Sequence, residues 1–139
     1  MLIAFSFAQR RVKIMEKKRI LIVDDEIGFT HLLKLNLEGT GLYEIRVENN
    51  GTNGLAAAAE FHPDLILLDV IMPDLDGGEV ASRLSADPKL KKIPIVFITA
   101  VVSKEETDAR GGVIGSYPFI AKPVNLETVK ALINKHMPR

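Results

Sequence analysis

LILLDVIMPDLDG, residues 65–77, decides the fold. Four aliphatic side chains in succession run into Asp69, and the chain then meets Pro73, Asp74, Asp76 and Gly77. An apolar run without polar alternation suits a parallel strand covered on both faces. Outward from it the pattern repeats: Ile20–Val23, Ile93–Ile98 and Phe119–Ala121 are nearly unbroken runs of the same kind. Tyr43–Val47 alternates, with Glu44 and Arg46 between apolar residues, as in a half-exposed edge strand.

Helical patterns lie between these runs. Glu26–Glu38 places Ile27, Phe29, Leu32, Leu33 and Leu37 mostly along one stripe, and Gly39 and Gly41 offer a stop. Asn53–Glu60 is alanine-rich and suits close packing on a sheet. Asp76 is placed to cap a helix over Gly78–Ser85, which Asp87-Pro88 ends. Asn125 is placed to cap the last helix, whose apolar face is Leu126, Val129, Leu132 and Ile133. Ser103–Arg110 has almost no apolar stripe and runs into Gly111-Gly112, which predicts a short or mobile helix. Five strands alternating with helices, joined by right-handed crossovers, predict an α/β doubly wound parallel sheet with helices on both faces.

The 139 residues suit one domain, and 47% hydrophobic with 26% charged residues is an ordinary globular composition. Eighteen basic side chains against eighteen acidic ones give no global field for nucleic acid or an anionic membrane. Without cysteine there is no disulfide, thiol nucleophile or cysteine zinc site, and a reducing cytoplasm is compatible. The uncharged stretch Ile93–Ser103 falls well short of the roughly 20 apolar residues of a membrane span. At the N-terminus the apolar Met1–Ala8 precedes Arg10, Arg11 and Lys13, the reverse of a secretory signal. Residues 1–17 are therefore expected to form an extension ahead of a domain at 18–137. Ile3, Phe5 and Phe7 alternate, so the extension could add a strand to an exposed edge, even of a second subunit in a homodimer. Alternatively Met15 is the natural start and the preceding residues are translated upstream sequence.

The polar residues that end the strands are the chemical feature. The first strand runs into Asp24-Asp25-Glu26, the third into Asp69, the fourth into Thr99 and the fifth into Lys122-Pro123. In an open α/β sheet the ligand site lies outside the carboxyl ends of the strands, so these side chains should converge on one rim. A single aspartate there needs no explanation beyond the end of a strand. Three would repel one another, and must either raise a pKa or bind a hard cation, for which magnesium is suited. A lysine and a threonine hydroxyl nearby supply what a phosphoryl group needs, a compact positive charge and a hydrogen-bond donor.

Taken in order, RILIVDDE (19–26), LILLDVIMPDLDG (65–77), IVFITA (95–100) and IAKP (120–123) resemble the receiver domain of bacterial two-component response regulators. The resemblance covers Lys18 to His136, with Thr99 thirty residues after Asp69. It implies a flavodoxin-like five-stranded sheet in the order 2-1-3-4-5. It further implies that Asp69 is the phosphoacceptor, and that Asp24, Asp25 and Asp69 hold Mg2+, or Mn2+ as a substitute, with the backbone carbonyl of Ile71. Thr99 would be the switch hydroxyl, Lys122 the phosphate-binding lysine and Phe119 the switch aromatic, with a cis Lys122-Pro123 bond. The implied function is a cytoplasmic phosphoacceptor switch, a regulatory domain rather than an enzyme with separate turnover. A sensor histidine kinase or phosphotransfer protein would supply the phosphoryl group, and an unidentified downstream protein would receive the signal. No helix-turn-helix effector follows the last helix, so direct DNA binding is not expected. The alternative is a phosphorylation-independent receiver-like adaptor.

Ile71 and Val101, two residues after Asp69 and Thr99, are apolar where the family often has polar side chains that orient hydrolytic water. They predict slow self-dephosphorylation, or else simply cap the core. Phe119 lacks a hydroxyl and could act only by packing. Asp74 and Asp76 suit turn and cap roles, and His31, His62 and His136 show no ligand spacing. A flavodoxin-like electron carrier is disfavoured, since Asp24-Asp25-Glu26 would repel a flavin phosphate. A haloacid-dehalogenase-like phosphatase would need a second aspartate where Ile71 stands.

Overall fold

The computed structural model describes residues 16–100, 113–114 and 117–138. In chain order the elements are β1 (Lys18–Val23), α1 (Ile27–Glu38), β2 (Tyr43–Glu48), α2 (Gly51–Phe61), β3 (Leu65–Asp69), α3 (Gly77–Ala86), β4 (Ile95–Thr99), β5 (Val113–Ile114), β6 (Tyr117–Ala121) and α4 (Leu126–His136). The sheet runs β2-β1-β3-β4-β6-β5. Its five longer strands are all parallel, in the order expected for this class. The two-residue β5, absent from the sequence reading, pairs antiparallel with β6. The extension over 1–15, the segment 103–110 and Val101 lie outside the described residues.

Strand alternation divides the core into two layers. Leu21, Val23, Ile66, Leu68, Phe97 and Phe119 face Ala57, Ala58, Val80, Ala81 and Leu84 of α2 and α3. Ile20, Ile22, Leu65, Leu67, Val96, Ile98 and Ile120 face Leu33 and Leu37 of α1 and Val129 and Ile133 of α4. Covering on both faces is the physical reason that β1, β3 and β4 lack polar alternation. Small residues let α2 lie close: a Cβ added at Gly54 would sit 2.7 Å from the Val23 side chain. The Asn50 side chain caps α2 by accepting from Asn53 N, so the helix starts earlier than the expected Asn53.

The buried line of α1 differs from its apolar stripe. Leu33 and Leu37 are buried as expected, but Ile27 and Leu32 are mostly exposed, and Thr30 is buried instead. The Thr30 hydroxyl donates to the Ile27 carbonyl, which lets a polar side chain occupy a core-facing position. Gly41, at φ +77°, takes a left-handed conformation between α1 and β2 that suits glycine.

Candidate functional site

Parallel strands bring their carboxyl ends to one rim, and the predicted residues meet there. Asp24 follows β1, Asp69 ends β3, Thr99 ends β4 and Lys122 follows β6. Carboxylate oxygens of Asp24, Asp25 and Asp69 lie within 4.8 Å of one another. Asp24 and Asp69 are buried, while Asp25 reaches solvent.

This arrangement is costly without a counter-charge. Burial, then the neighbouring charge of Asp24, pushes the Asp69 carboxyl up to about 6, with Lys122 and the Ile71 backbone N–H acting in opposition. Asp24 is also raised, chiefly by burial and against the pull of Lys122. Burial would depress Lys122, but the carboxylates of Asp24 and Glu26 outweigh it and raise the ammonium. Lys122 Nζ stands 2.7 Å from Asp24 Oδ2 and 3.8 Å from Asp69 Oδ2. Apart from that ion pair, buried Asp24 Oδ2 has no further hydrogen-bond partner among the described residues. A buried carboxylate with acceptor capacity left, beside two more carboxylates, fits a hard divalent cation.

Thr99 is fully buried, and its carbonyl accepts from Lys122 N at 2.9 Å, joining the two strand ends. The Lys122-Pro123 peptide bond is cis. Phe119 is buried in the α2–α3 core layer, level with Phe97 on β4. Ile71 is 58% exposed, which removes the alternative that it simply caps the core: the chain leaves the sheet at Asp69 and carries Ile71 over the rim.

The loop after β3 is held by its own aspartates. Asp74 accepts from Gly51 N, Thr52 N and the Thr52 hydroxyl at 3.0, 3.0 and 2.9 Å, so it binds the first turn of α2 from outside that helix. These bonds hold its carboxyl well below the usual carboxylate range. Asp76 caps α3 by accepting from Glu79 N. Neither belongs to the acidic cluster. Gly77 lies so close to the strand end that a Cβ there would sit 2.1 Å from the Asp69 carbonyl oxygen.

Sequence reasoning missed some supporting residues. Asn49 donates from Nδ2 to the Asp24 carbonyl at 2.8 Å and to the Thr30 hydroxyl at 3.1 Å, tying β1, β2 and α1 together below the rim. The β1–β2 register, Val23 opposite Glu48, is the signal that would have placed Asn49 beside Asp24. Glu26 and Phe29 gather around Lys122, and all three line a groove of about 460 Å³ between α1 and the start of α4.

The family model described as response regulator receiver domain matches residues 20–134. The DNA-binding dual master transcriptional regulator RpaA of Synechocystis is 34% identical over 115 residues, covering 83% of this chain and 47% of that protein. Protein PilH of Pseudomonas aeruginosa is 36% identical over 117 residues, covering 84% of this chain and 94% of that protein. Among solved structures, chemotaxis protein CheY4 of Vibrio cholerae superposes with a TM-score of 0.74 at 28% identity, covering 87% of this chain and 99% of that one. The fold is that of an α/β regulatory receiver domain, and the chain belongs to the response regulator receiver domain family. Receiver domains are regulatory parts of two-component systems, for which magnesium and an aspartyl phosphate are typical. The chain spans about half the length of curated relatives such as RpaA. None of the described helices is long and apolar enough to cross a membrane.

Proposed function

We propose that residues 18–137 act as a cytoplasmic phosphoacceptor switch that takes a phosphoryl group onto Asp69 from the phosphohistidine of a sensor histidine kinase or phosphotransfer protein. The observation that carries this reading is the trio of carboxylates within 4.8 Å, faced by the Lys122 ammonium. Asp24, Asp25, Asp69 and the Ile71 backbone carbonyl would hold Mg2+, or Mn2+ in its place. When bound, the ion supplies positive charge that offsets repulsion between the carboxylates and the phosphoryl oxygens.

The Asp69 carboxylate attacks phosphorus in line; the P–N bond of the donor breaks, the imidazole leaves with that electron pair, and an acyl phosphate forms. Lys122 balances charge developing on the phosphoryl oxygens, and burial of Asp69 makes that charge count for more than it would in water. The Thr99 hydroxyl donates to a phosphoryl oxygen, and Phe119 repacks behind it. Thr99 and Lys122 are linked through one backbone hydrogen bond, so a shift of either is felt by β4 and β6 together. A change from 1:99 to 99:1 between two states of that surface needs roughly 5.5 kcal/mol of differential stabilisation. A downstream protein reads the altered surface, and the chain's own phosphorylation and dephosphorylation are its chemistry.

Incubation with Mg2+ and acetyl phosphate, followed by intact mass, tests the reading. Wild type should gain one phosphoryl group and Asp69→Ala none. A folded wild-type chain that gains nothing would overturn it in favour of an adaptor that works without phosphorylation.

A further inference from the structure

Lys122 rests closer to Glu26 and Asp24 than to Asp69. Its ammonium is 2.6 Å from Glu26 Oε1 and 2.7 Å from Asp24 Oδ2, against 3.8 Å from Asp69 Oδ2. The Phe29 ring lies 4.4 Å away, with the ammonium over its face. Glu26 holds the N-cap position of α1, where a side chain commonly accepts a hydrogen bond from the first turn, yet its carboxylate makes no such bond. It reaches instead to a lysine 96 residues further along the chain. The start of α1 is served by Asp24, whose Oδ1 accepts from Glu26 N at 2.9 Å. The side chain of Glu26 is thus committed to Lys122 and not to its own helix.

An ammonium follows charge and reach, with three protons to place and no fixed fork. A phosphoryl group on Asp69 would bring new anionic oxygens to this ammonium, which already spends protons on Glu26 and Asp24. We propose that Glu26 is a positioning residue that sets the resting place of Lys122 on the α1 side of the site and competes with the phosphoryl group for that lysine. The proposal rests on Asp69 being the phosphoacceptor. Because the Glu26 side chain is 59% exposed, the tether biases the lysine and does not lock it; an ion pair of this kind corresponds to about a two- to fivefold effect.

The test uses the full chain with 15N-labelled lysine, the Lys122 Nζ signal being identified by its loss in Lys122→Arg. Glu26→Gln removes no capping bond, so the variant should fold. It should move the Lys122 Nζ signal in magnesium-free buffer and raise the rate of phosphorylation by acetyl phosphate about two- to fivefold. Glu26→Asp keeps the charge but is one methylene shorter, and should follow Gln in both measurements. An unmoved Lys122 signal overturns the proposal. So does a moved signal with an unchanged rate. A faster Gln variant beside a wild-type-like Asp variant also overturns it, since simple repulsion of the donor would then suffice. A wild-type chain that accepts no phosphoryl group at all defeats the reading of Asp69, while the lysine signal still reports whether Glu26 holds Lys122.

Discussion

At the scale of the residue, the chemistry of the rim is paid for in stability. Asp69 ionises in the unfolded chain near the ordinary carboxylate value of about 3.9, but only near 6 in the folded one. Between those values the native state binds more protons than the unfolded state, so without metal stability falls as pH rises from about 4 to about 6. The two-unit gap corresponds to about 2–3 kcal/mol. Asp69→Asn should therefore be more stable than wild type in urea titrations with chelator at pH 7.5, by up to that amount, and the gain should shrink toward pH 4. Ile71 offers a second prediction. Its exposed side chain stands two residues beyond Asp69 and cannot hydrogen-bond a water approaching the proposed acyl phosphate. Ile71→Asn adds that capacity and should shorten the phosphoryl lifetime about two- to tenfold, the range of one modest hydrogen bond, as followed by intact mass after donor removal.

Elements show which parts of the chain could be read in advance. β1, β3 and β4 were legible because burial on both faces leaves an unbroken aliphatic run, and the caps Asp76 and Asn125 stand where their helices need acceptors. The buried line of α1 was not, because Ile27, Leu32 and Leu35 are apolar and exposed while Thr30 is polar and buried with its hydroxyl satisfied. Hydropathy ranks these residues in the wrong order. Asp74 was legible as a turn residue, but not as an outside partner for the first turn of α2, since that contact spans 23 residues of chain. Asp74→Ala should lower the thermal midpoint at neutral pH by releasing three donors at once. Its folded pKa is depressed, so the contribution is full above the unfolded value of about 3.9 and is lost as pH falls below it. Melting curves of variant and wild type should accordingly approach each other in acid.

For the whole molecule, the candidate site was legible because a parallel sheet delivers every strand end to one rim, so residues distant in sequence need no further geometry to be grouped. What could not be read was the resting arrangement inside the group, above all the turn of Lys122 toward Glu26, which depends on side-chain reach across α1. The cation that this rim suits should act on the entire fold. A ligand that binds only the native state stabilises by mass action, about 2.7 kcal/mol at a hundredfold excess over its dissociation constant. Mg2+ should raise the unfolding midpoint of wild type in proportion, and should do so far less for Asp24→Asn. An equal rise in both would remove Asp24 from the metal set.

The margins of the sheet have a consequence for behaviour at high concentration. On one side the two-residue β5 pairs with Tyr117 and Pro118 at the start of β6, and a strand that short is a poor template for another chain. On the other, β2 carries Glu44, Arg46 and Glu48, tied into ion pairs with Arg19 and Glu60 as well as with each other. A foreign strand adding there would have to strip those charges of solvent and of their partners. The charged β2 margin therefore disfavours edge-to-edge addition of a second folded copy.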